Sequence, residues 1–359
     1  MAKAEKQFIF FVGLLKAAST YLRRELLPKC DPAMVYHDQQ TFDEAVKIIT
    51  DGDFSEKNVR ECKRIFSEEF EKISQETTAL VKPSVAGDPL KVENSFTTFT
   101  ERADFLHKVV PHAKIVFITR NQIDFIISLY RQIIREGKAI SFNKFINYEK
   151  GKFLNRTKGD NETLDTLHLD FSFMANYYVE KFGEKNVHIL FLEDLENNSE
   201  KFISSVRQIL RCEFTEKVNP SKINVGLSAL ALNLMLLKNK YSFFQKDRRE
   251  RNQVKFLDGV ITYLEKYDQK SMSLKKTLSV SSPINFPAII LRRILIRSRI
   301  FFVFEQFMQI AFNKVLYIDW DFMGKQKRIF LAKHYSKLNQ GLSRHFRDPE
   351  TVKYYVLKN

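Results

Sequence analysis

The stretch that decides the fold is FIFFVGLLKAASTYL, residues 8–22. It allows two interpretations: the apolar part of a secretory signal, or a buried strand followed by a tight turn at Gly13 and a helix beginning near Ala17. The apolar run covers only residues 8–15, and Lys16 interrupts it directly before the small residues that a cleavage site needs. Such a run is at the short limit for a signal and too short to cross a bilayer. The sequence therefore favours strand, turn and helix, and predicts neither a signal peptide nor a transmembrane helix.

Strand-like and helix-like segments alternate from here through residue 215. A continuous apolar run predicts a strand at 8–12, and further strand-like segments near 33–37, 77–81, 114–119 and 187–192 bring the total to about five strands. Helical spacing predicts helices near 17–27, 40–50, 56–75, 98–110, 124–136 and 199–210, with another ending at Gly183. This alternation is typical of an α/β fold with a doubly wound parallel sheet and helices on both faces. Ligands bind such sheets beyond the carboxyl ends of the strands.

The chain is expected to divide into an α/β core at 1–215 and a mainly helical region at 216–359 that completes a binding cleft. The segment 286–312 is strongly apolar but carries four arginines, which exclude an ordinary membrane span. We expect a core helix here, with an interfacial helix that contacts a membrane peripherally as the alternative.

Charge and cysteine content limit which ligands and which cellular compartment the sequence predicts. Lys and Arg total 58 against 43 Asp and Glu, a formal net charge of +15, which favours anionic ligands such as nucleotides or acidic glycans. The basic residues are spread without a dense tract, so no nucleic-acid partner is predicted. The three cysteines, Cys30, Cys62 and Cys212, give neither a disulfide framework nor a zinc spacing, and they predict a reducing, cytoplasmic compartment.

Residues 13–20 predict an anion site at the start of a helix. In a nucleoside-triphosphate loop, GxxxxGK[ST], the hydroxyl that binds magnesium directly follows the lysine, whereas here Ala17 follows Lys16. This difference disfavours a kinase or ATPase. The remaining donors are Lys16, the amides of the first helical turn, and the hydroxyls of Ser19 and Thr20, which suit a phosphate group.

A second anion site is predicted after the strand at 114–119. Arg120 stands at the end of this strand, and Ser128 follows eight residues later in the next helix. An arginine fork with a hydroxyl suits a separate phosphate. Two phosphate sites at adjacent strand ends, without a metal motif, match a nucleotide that carries phosphates at both its 5′ and 3′ ends.

These motifs resemble the sulfotransferase family that uses 3′-phosphoadenosine 5′-phosphosulfate (PAPS). FVGLLKAASTYL (11–22) resembles the 5′-phosphosulfate loop, FITRNQIDFIISLY (117–130) the 3′-phosphate segment, and FGEKNVHILFLEDLENNSEKFISSVRQIL (182–210) a later strand and helix. HYSKLNQGLSRHF (334–346) is similar to the C-terminal stretch. The likeness is greatest to bacterial-type members that act on glycans or related metabolites. Where the family usually has Gly-Thr-Thr, this chain has Ala18-Ser19-Thr20.

The resemblance implies a P-loop-like sulfotransferase fold and metal-free, in-line transfer of a sulfuryl group to a hydroxyl or amine, leaving 3′-phosphoadenosine 5′-phosphate (PAP). Lys16 would offset charge at the bridging oxygen. The implied cofactor contacts are Lys16, Ala17, Ala18, Ser19, Thr20, Arg120, Ser128 and, from its position, Lys222. Glu193 and Asp194 are expected to orient their strand end and not to catalyse. The sequence leaves the acceptor and the oligomeric state open.

The general base is ambiguous. Family members that act on glycans often carry a Glu-Lys pair after the third strand. VENSF (92–96) supplies Glu93 with Asn94 in place of the lysine, whereas LVKPS (80–84) supplies Lys82 with Val81 in place of the glutamate. Glu93 is ranked first and His37, at the end of the second strand, next.

Two other functions remain open on the sequence alone. A nucleotide-dependent kinase of related fold would need magnesium ligands and would prefer ATP. A non-catalytic protein that binds a nucleotide or an anionic glycan would show binding without turnover.

Overall fold

The computed structural model describes residues 6–13, 16–31, 34–36, 42–90, 95–157, 160, 162–215, 228–241, 321–345 and 349–356. Four predictions fall outside them: the roles of His37, Glu93 and Lys222, and the helix at 286–312. Contacts group the chain into two compact units, one of Met1–Ile133, Ile140–Gly226 and Asp321–Asn359, and one of Ile134–Ala139 and Leu227–Trp320. All site residues discussed below belong to the first unit.

The first unit contains a parallel sheet of five strands, as the sequence predicts. These strands are β1 (Gln7–Gly13), β3 (Met34–Tyr36), β4 (Thr77–Val81), β5 (Lys114–Thr119) and β8 (Val187–Phe191). Their spatial order is β3-β4-β1-β5-β8, and every neighbouring pair is parallel. Two antiparallel pairs lie outside the sheet: β2 (Cys30–Asp31) with β9 (Glu213–Phe214), and β6 (Tyr148–Glu149) with β7 (Lys152–Phe153).

The strands are buried where they cross the core. Phe8 through Gly13 in β1 are buried, as are all five residues of β4, which begins with two threonines. Such strands can be covered on both faces, because alternate side chains point to opposite sides of a sheet and both sets are buried. β1 lies between β4 and β5.

The described helices lie between the strands as far as residue 210, and three more follow the last strand. Together they are α1 (Ser19–Tyr21), α2 (Asp43–Asp51), α3 (Glu56–Lys72), α4 (Ser95–Val109), α5 (Gln122–Arg135), α6 (Phe142–Phe145), α7 (Phe171–Phe182), α8 (Leu192–Asn197), α9 (Ser199–Leu210), α10 (Ala229–Tyr241), α11 (Lys325–Leu338) and α12 (Pro349–Tyr355). Helix α1 continues as a π-helical segment, Leu22–Leu26, and a 3₁₀ turn, Leu27–Lys29. Within the described ranges, no helix is both long and apolar enough to cross a membrane.

One helix starts earlier than predicted. The sequence predicts that the helix after the third strand begins near residue 98, but α4 begins at Ser95. No helix-breaking residue separates the two positions. Between β4 and α4 the chain also forms a 3₁₀ turn, Pro83–Ala86.

The segment after β4 is held in place by a buried arginine. Arg102 on α4 donates from its guanidinium to the carbonyl oxygens of Ile49 at 2.9 Å, Thr50 at 2.7 Å and Ser84 at 3.4 Å. Buried carbonyl groups are costly to leave without a donor. Arg102 therefore joins the end of α2 to the turn that follows β4, at the edge of the sheet where the candidate site lies.

Candidate functional site

The candidate site lies at the edge where the parallel strands end. The register pairs Gly13 of β1 with Ile118 of β5, and Thr119 of β5 with Phe191 of β8. Because the strands are parallel, the segments that leave β1, β5 and β8 meet at this edge. The two predicted anion segments begin here, as expected for a ligand site in a sheet of this kind.

Gly13 permits the sharp exit from β1. Its φ is +127°, a conformation that L side chains rarely adopt, and a Cβ atom would collide with the carbonyl oxygen of Ile118. Only glycine satisfies both the backbone angle and the close approach of the neighbouring strand.

The turn before α1 uses the left-handed region at residues that are not glycine. Lys16 has φ +73° and Ala18 has φ +57°. Ala18 directly precedes α1, and no side chain caps the amide groups of this helix start. Amides at a helix N-terminus are donors suited to an anion. Ser19 and Thr20, whose hydroxyls are predicted to contribute, are half-buried here.

Replacing Ala18 with glycine is expected to stabilise the protein by about 0.5–1 kcal/mol. An L residue in the left-handed region costs about 1–2 kcal/mol, and the greater freedom of glycine in the unfolded chain offsets part of the gain. Urea unfolding of Ala18→Gly measures the change. The neighbouring substitution Ala17→Gly is the control and is expected to destabilise, because Ala17 has no positive φ. A loss of stability in Ala18→Gly would contradict the strained turn.

Arg120 brings the two anion segments into contact. It follows β5 directly, and its Nη1 donates to the carbonyl oxygen of Lys16 at 3.4 Å across 104 residues of sequence. Ala17 and Arg120 also border the same small gap between side chains, together with Phe125 and Phe171, although this gap has no room for a water molecule. The structure thus places the predicted lysine loop and the predicted arginine side by side. Ser128 lies half-buried on α5, about two turns from its start.

A buried carboxylate fixes the backbone next to Arg120. Glu193 Oε1 accepts a hydrogen bond from the Asn121 N–H at 2.8 Å, and Glu193 Oε2 accepts one from the Tyr355 hydroxyl at 2.6 Å. Asp194 accepts a further bond from the Thr351 hydroxyl. This arrangement agrees with the orienting role expected for the Glu-Asp pair. The contribution of Tyr355, 162 residues from Glu193, leaves no signal in the sequence.

Burial raises the pKa of Glu193, although the bonds from Asn121 and Tyr355 oppose that shift. A carboxyl group whose pKa is higher in the folded state binds its proton more tightly there. The folded protein therefore loses stability as the pH rises above the ordinary pKa of this group, 4.5. Glu193→Gln is uncharged at every pH. Its unfolding free energy relative to the wild type is therefore expected to increase with pH above about 4.5 and then level off. Denaturant titrations across this range measure it, and a constant or falling difference would contradict the assignment.

Lys82 adds a second lysine to the same edge. Its backbone N–H donates to the Phe11 carbonyl oxygen at 3.1 Å, which places it beside the end of β1. Its Nζ donates to Asp43 Oδ1 at 3.2 Å. Burial lowers the pKa of Lys82, and Asp43 partly restores it.

Arg23 is a cation of this edge that the sequence reasoning did not select. Its Nε donates to the carbonyl oxygen of Ser19 at 3.3 Å. Its charge is close enough to Lys82 to contribute to the lowered pKa of that lysine. The signal available in the sequence was its position one helical turn after Ser19. Together, Lys16, Arg23, Lys82 and Arg120 give this edge a cationic lining suited to phosphate and sulfate groups.

Comparison with known proteins gives a family match. A model described as "Sulfotransferase family" matches residues 8–216. Among solved structures, the chain is similar to a sulfotransferase from Alicyclobacillus acidocaldarius, with 14% identity, 66% of this chain and 93% of that chain covered, and a TM-score of 0.41. It is similar to the sulfotransferase domain from the curacin biosynthetic pathway, with 12% identity, 62% and 82% covered, and a TM-score of 0.34.

A third similar structure is mouse sulfotransferase SULT7A1 complexed with PAP, with 12% identity, 66% of each chain covered and a TM-score of 0.32. Among curated protein sequences, none matches this chain. The family match covers both anion segments and the Glu-Asp pair, but not Tyr355 and Thr351, which hold that pair.

Proposed function

Because the chain belongs to the sulfotransferase family, we propose that it transfers a sulfuryl group from PAPS to a hydroxyl or amine of a glycan or related metabolite. The observation that carries the proposal is the hydrogen bond from Arg120 to the carbonyl oxygen of Lys16. It joins one anion segment to the other, as a nucleotide with phosphates at both ends requires.

The residues at this edge fit such a nucleotide. The start of α1 offers backbone amide donors, and Ala18, the residue before it, has no side chain that could cap them. Arg120 lies next to this loop and donates to the Lys16 carbonyl oxygen. Lys16, Ala17, Ala18, Ser19 and Thr20 would hold the 5′-phosphosulfate. For the 3′-phosphate, the contacts would be Arg120 and Ser128, with Lys222 as a further contact.

The nucleotide, when bound, supplies an activated sulfuryl group, and the residues of the chain hold and polarise it. The ammonium group of Lys16 would offset the negative charge that the nucleotide gains as leaving group. The helix amides and the Ser19 and Thr20 hydroxyls fix the 5′-phosphate, so that the acceptor approaches in line. The proposed transfer depends on positioning of the nucleotide and the acceptor and on stabilisation of the leaving-group charge, and it needs no metal ion.

Deprotonation of the acceptor needs a general base. Glu93 is the first candidate and His37 the second, both from their place in the sequence. Lys82 is at the same edge, where its Nζ donates to Asp43 Oδ1. Burial lowers its pKa, although Asp43 opposes that shift. We assign Lys82 to charge stabilisation from its place in the cationic lining.

A nucleotide kinase is the principal rival. Its magnesium ion would need a hydroxyl after Lys16, where Ala17 stands, and within the described residues no group of three or more His, Cys, Asp and Glu side chains is arranged to hold a metal. A non-catalytic nucleotide-binding protein is the second rival, and turnover separates it from an enzyme.

The proposal is tested by incubating the purified protein with PAPS and a panel of amino sugars, hydroxylated glycans and small amines. Release of PAP is measured together with the mass of each acceptor. Acceptor-dependent PAP release with the mass gain of one sulfuryl group would support the proposal. Phosphorylation of the same panel from ATP and magnesium would contradict it, and so would PAPS binding without turnover on any acceptor class.

A further inference from the structure

Two of the three cysteines lie against each other. Cys30 Sγ and Cys212 Sγ are 2.9 Å apart, although 182 residues separate them in sequence. Both are free thiols. The sulfur atoms would need to approach by less than about 1 Å to reach the bond length of a disulfide, about 2.05 Å.

The backbone around the pair is already fixed. Cys30 lies on β2, opposite Phe214 of β9, and Cys212 directly precedes β9. The ladder continues past the two-residue pair, because the Thr215 N–H donates to the Lys29 carbonyl oxygen at 2.8 Å. A bond between the sulfurs therefore requires no rearrangement of the strands that carry them.

The environment of the pair also suits thiol chemistry. Cys30 is half-buried, so a small molecule in solution can reach it. The hydrogen bond between the two thiols lowers the pKa of Cys212, because it stabilises the thiolate. The third cysteine differs: Cys62 is fully buried, and burial raises its pKa to about 11. Cys62 is therefore an internal reference for an unreactive thiol.

We propose that Cys30 and Cys212 form a reversible disulfide by exchange with a low-molecular-weight disulfide, such as oxidised glutathione. One cysteine thiolate attacks the small disulfide, forms a mixed disulfide and releases one small thiol. The other cysteine thiolate then attacks the protein sulfur of that mixed disulfide and releases the second small thiol. The protein loses two protons and two electrons, and the small disulfide gains them.

The disulfide would link the end of the helical segment that follows Lys16 to the core. This segment begins at Ser19, ends at Lys29 and leads directly into β2, while β9 closely follows α9. A cross-link that closes so long a loop restricts the unfolded chain strongly. The oxidised protein is therefore expected to melt at a temperature higher by about 5 °C or more.

The test equilibrates the full-length protein with mixtures of oxidised and reduced glutathione. Remaining thiols are then alkylated in denaturant, and intact mass and peptide mapping identify each cysteine. The expected oxidised species carries one alkyl group, on Cys62, and a peptide cross-link between Cys30 and Cys212. Its melting temperature should rise, and Cys62→Ser should form the same cross-link and show the same rise.

Three results would overturn the proposal. They are alkylation of all three cysteines at every glutathione ratio, a stable glutathione adduct on Cys30 without the cross-link, and cross-links only between chains. Because the mapping uses the wild-type protein, it does not depend on whether Cys30→Ser or Cys212→Ser folds. Those two variants should each lose both the cross-link and the rise in melting temperature.

Discussion

Arg120→Ala is expected to weaken binding of PAP by about 100-fold or more. An arginine that holds a phosphate makes charge-assisted hydrogen bonds, each worth about 1.5–3 kcal/mol, and two of them correspond to a change of at least this size. The substitution also removes the hydrogen bond to the Lys16 carbonyl oxygen, which joins the lysine loop to the segment that follows β5. Calorimetric titration with PAP measures the effect.

Two variants control for charge and for folding. Arg120→Lys keeps the positive charge but loses the paired N–H donors of the guanidinium group. Its affinity for PAP should therefore fall between those of the wild type and the alanine variant. Arg64→Ala removes an exposed arginine that pairs with Glu61 and Glu68 on α3, and it should bind PAP as the wild type does. Unchanged PAP affinity in Arg120→Ala, with the fold intact by circular dichroism, would contradict the 3′-phosphate role.

Lys16→Ala is expected to lower the rate of sulfuryl transfer by about 100–1000-fold, with a smaller loss of PAP affinity. The charge that Lys16 offsets develops mainly in the transition state, and removal of one such donor typically costs this much in kcat. Single-turnover release of PAP from saturating PAPS, with an acceptor found in the panel, measures the chemical step separately from binding.

The matched control is Lys72→Ala, which removes an exposed lysine paired with Glu69. This variant should retain the wild-type rate. If Lys16→Ala weakened PAPS binding but left the single-turnover rate unchanged, the lysine would contribute equally to the ground state and the transition state. That outcome would contradict its assignment to the bridging oxygen.

The sheet was predictable because its strands are buried on both faces. A short segment rich in apolar and β-branched residues between turn-forming residues leaves few alternatives, and the predicted strands at 77–81 and 114–119 match β4 and β5 residue for residue. The predicted strand 8–12 is one residue shorter than β1 at each end. The alternation of these runs with helical spacing predicted the parallel topology.

The contacts that assemble the site were not predictable in the same way. Arg120 meets Lys16 across 104 residues, Tyr355 meets Glu193 across 162, and Cys30 meets Cys212 across 182. Such contacts depend on how the helices and strands pack, and they produce no periodic pattern of residues in the sequence. The left-handed conformation of Ala18 was not predictable for another reason. The family usually has glycine at this position, and an alanine does not indicate a positive φ.

The most direct test of the central claim is calorimetric titration of the purified protein with PAP, compared with ATP plus magnesium. The two anion segments predict tight binding of PAP, because it carries a phosphate for each, and weaker binding of ATP with or without the metal. Absence of PAP binding, or a preference for ATP that depends on magnesium, would contradict the assignment of this edge to PAPS.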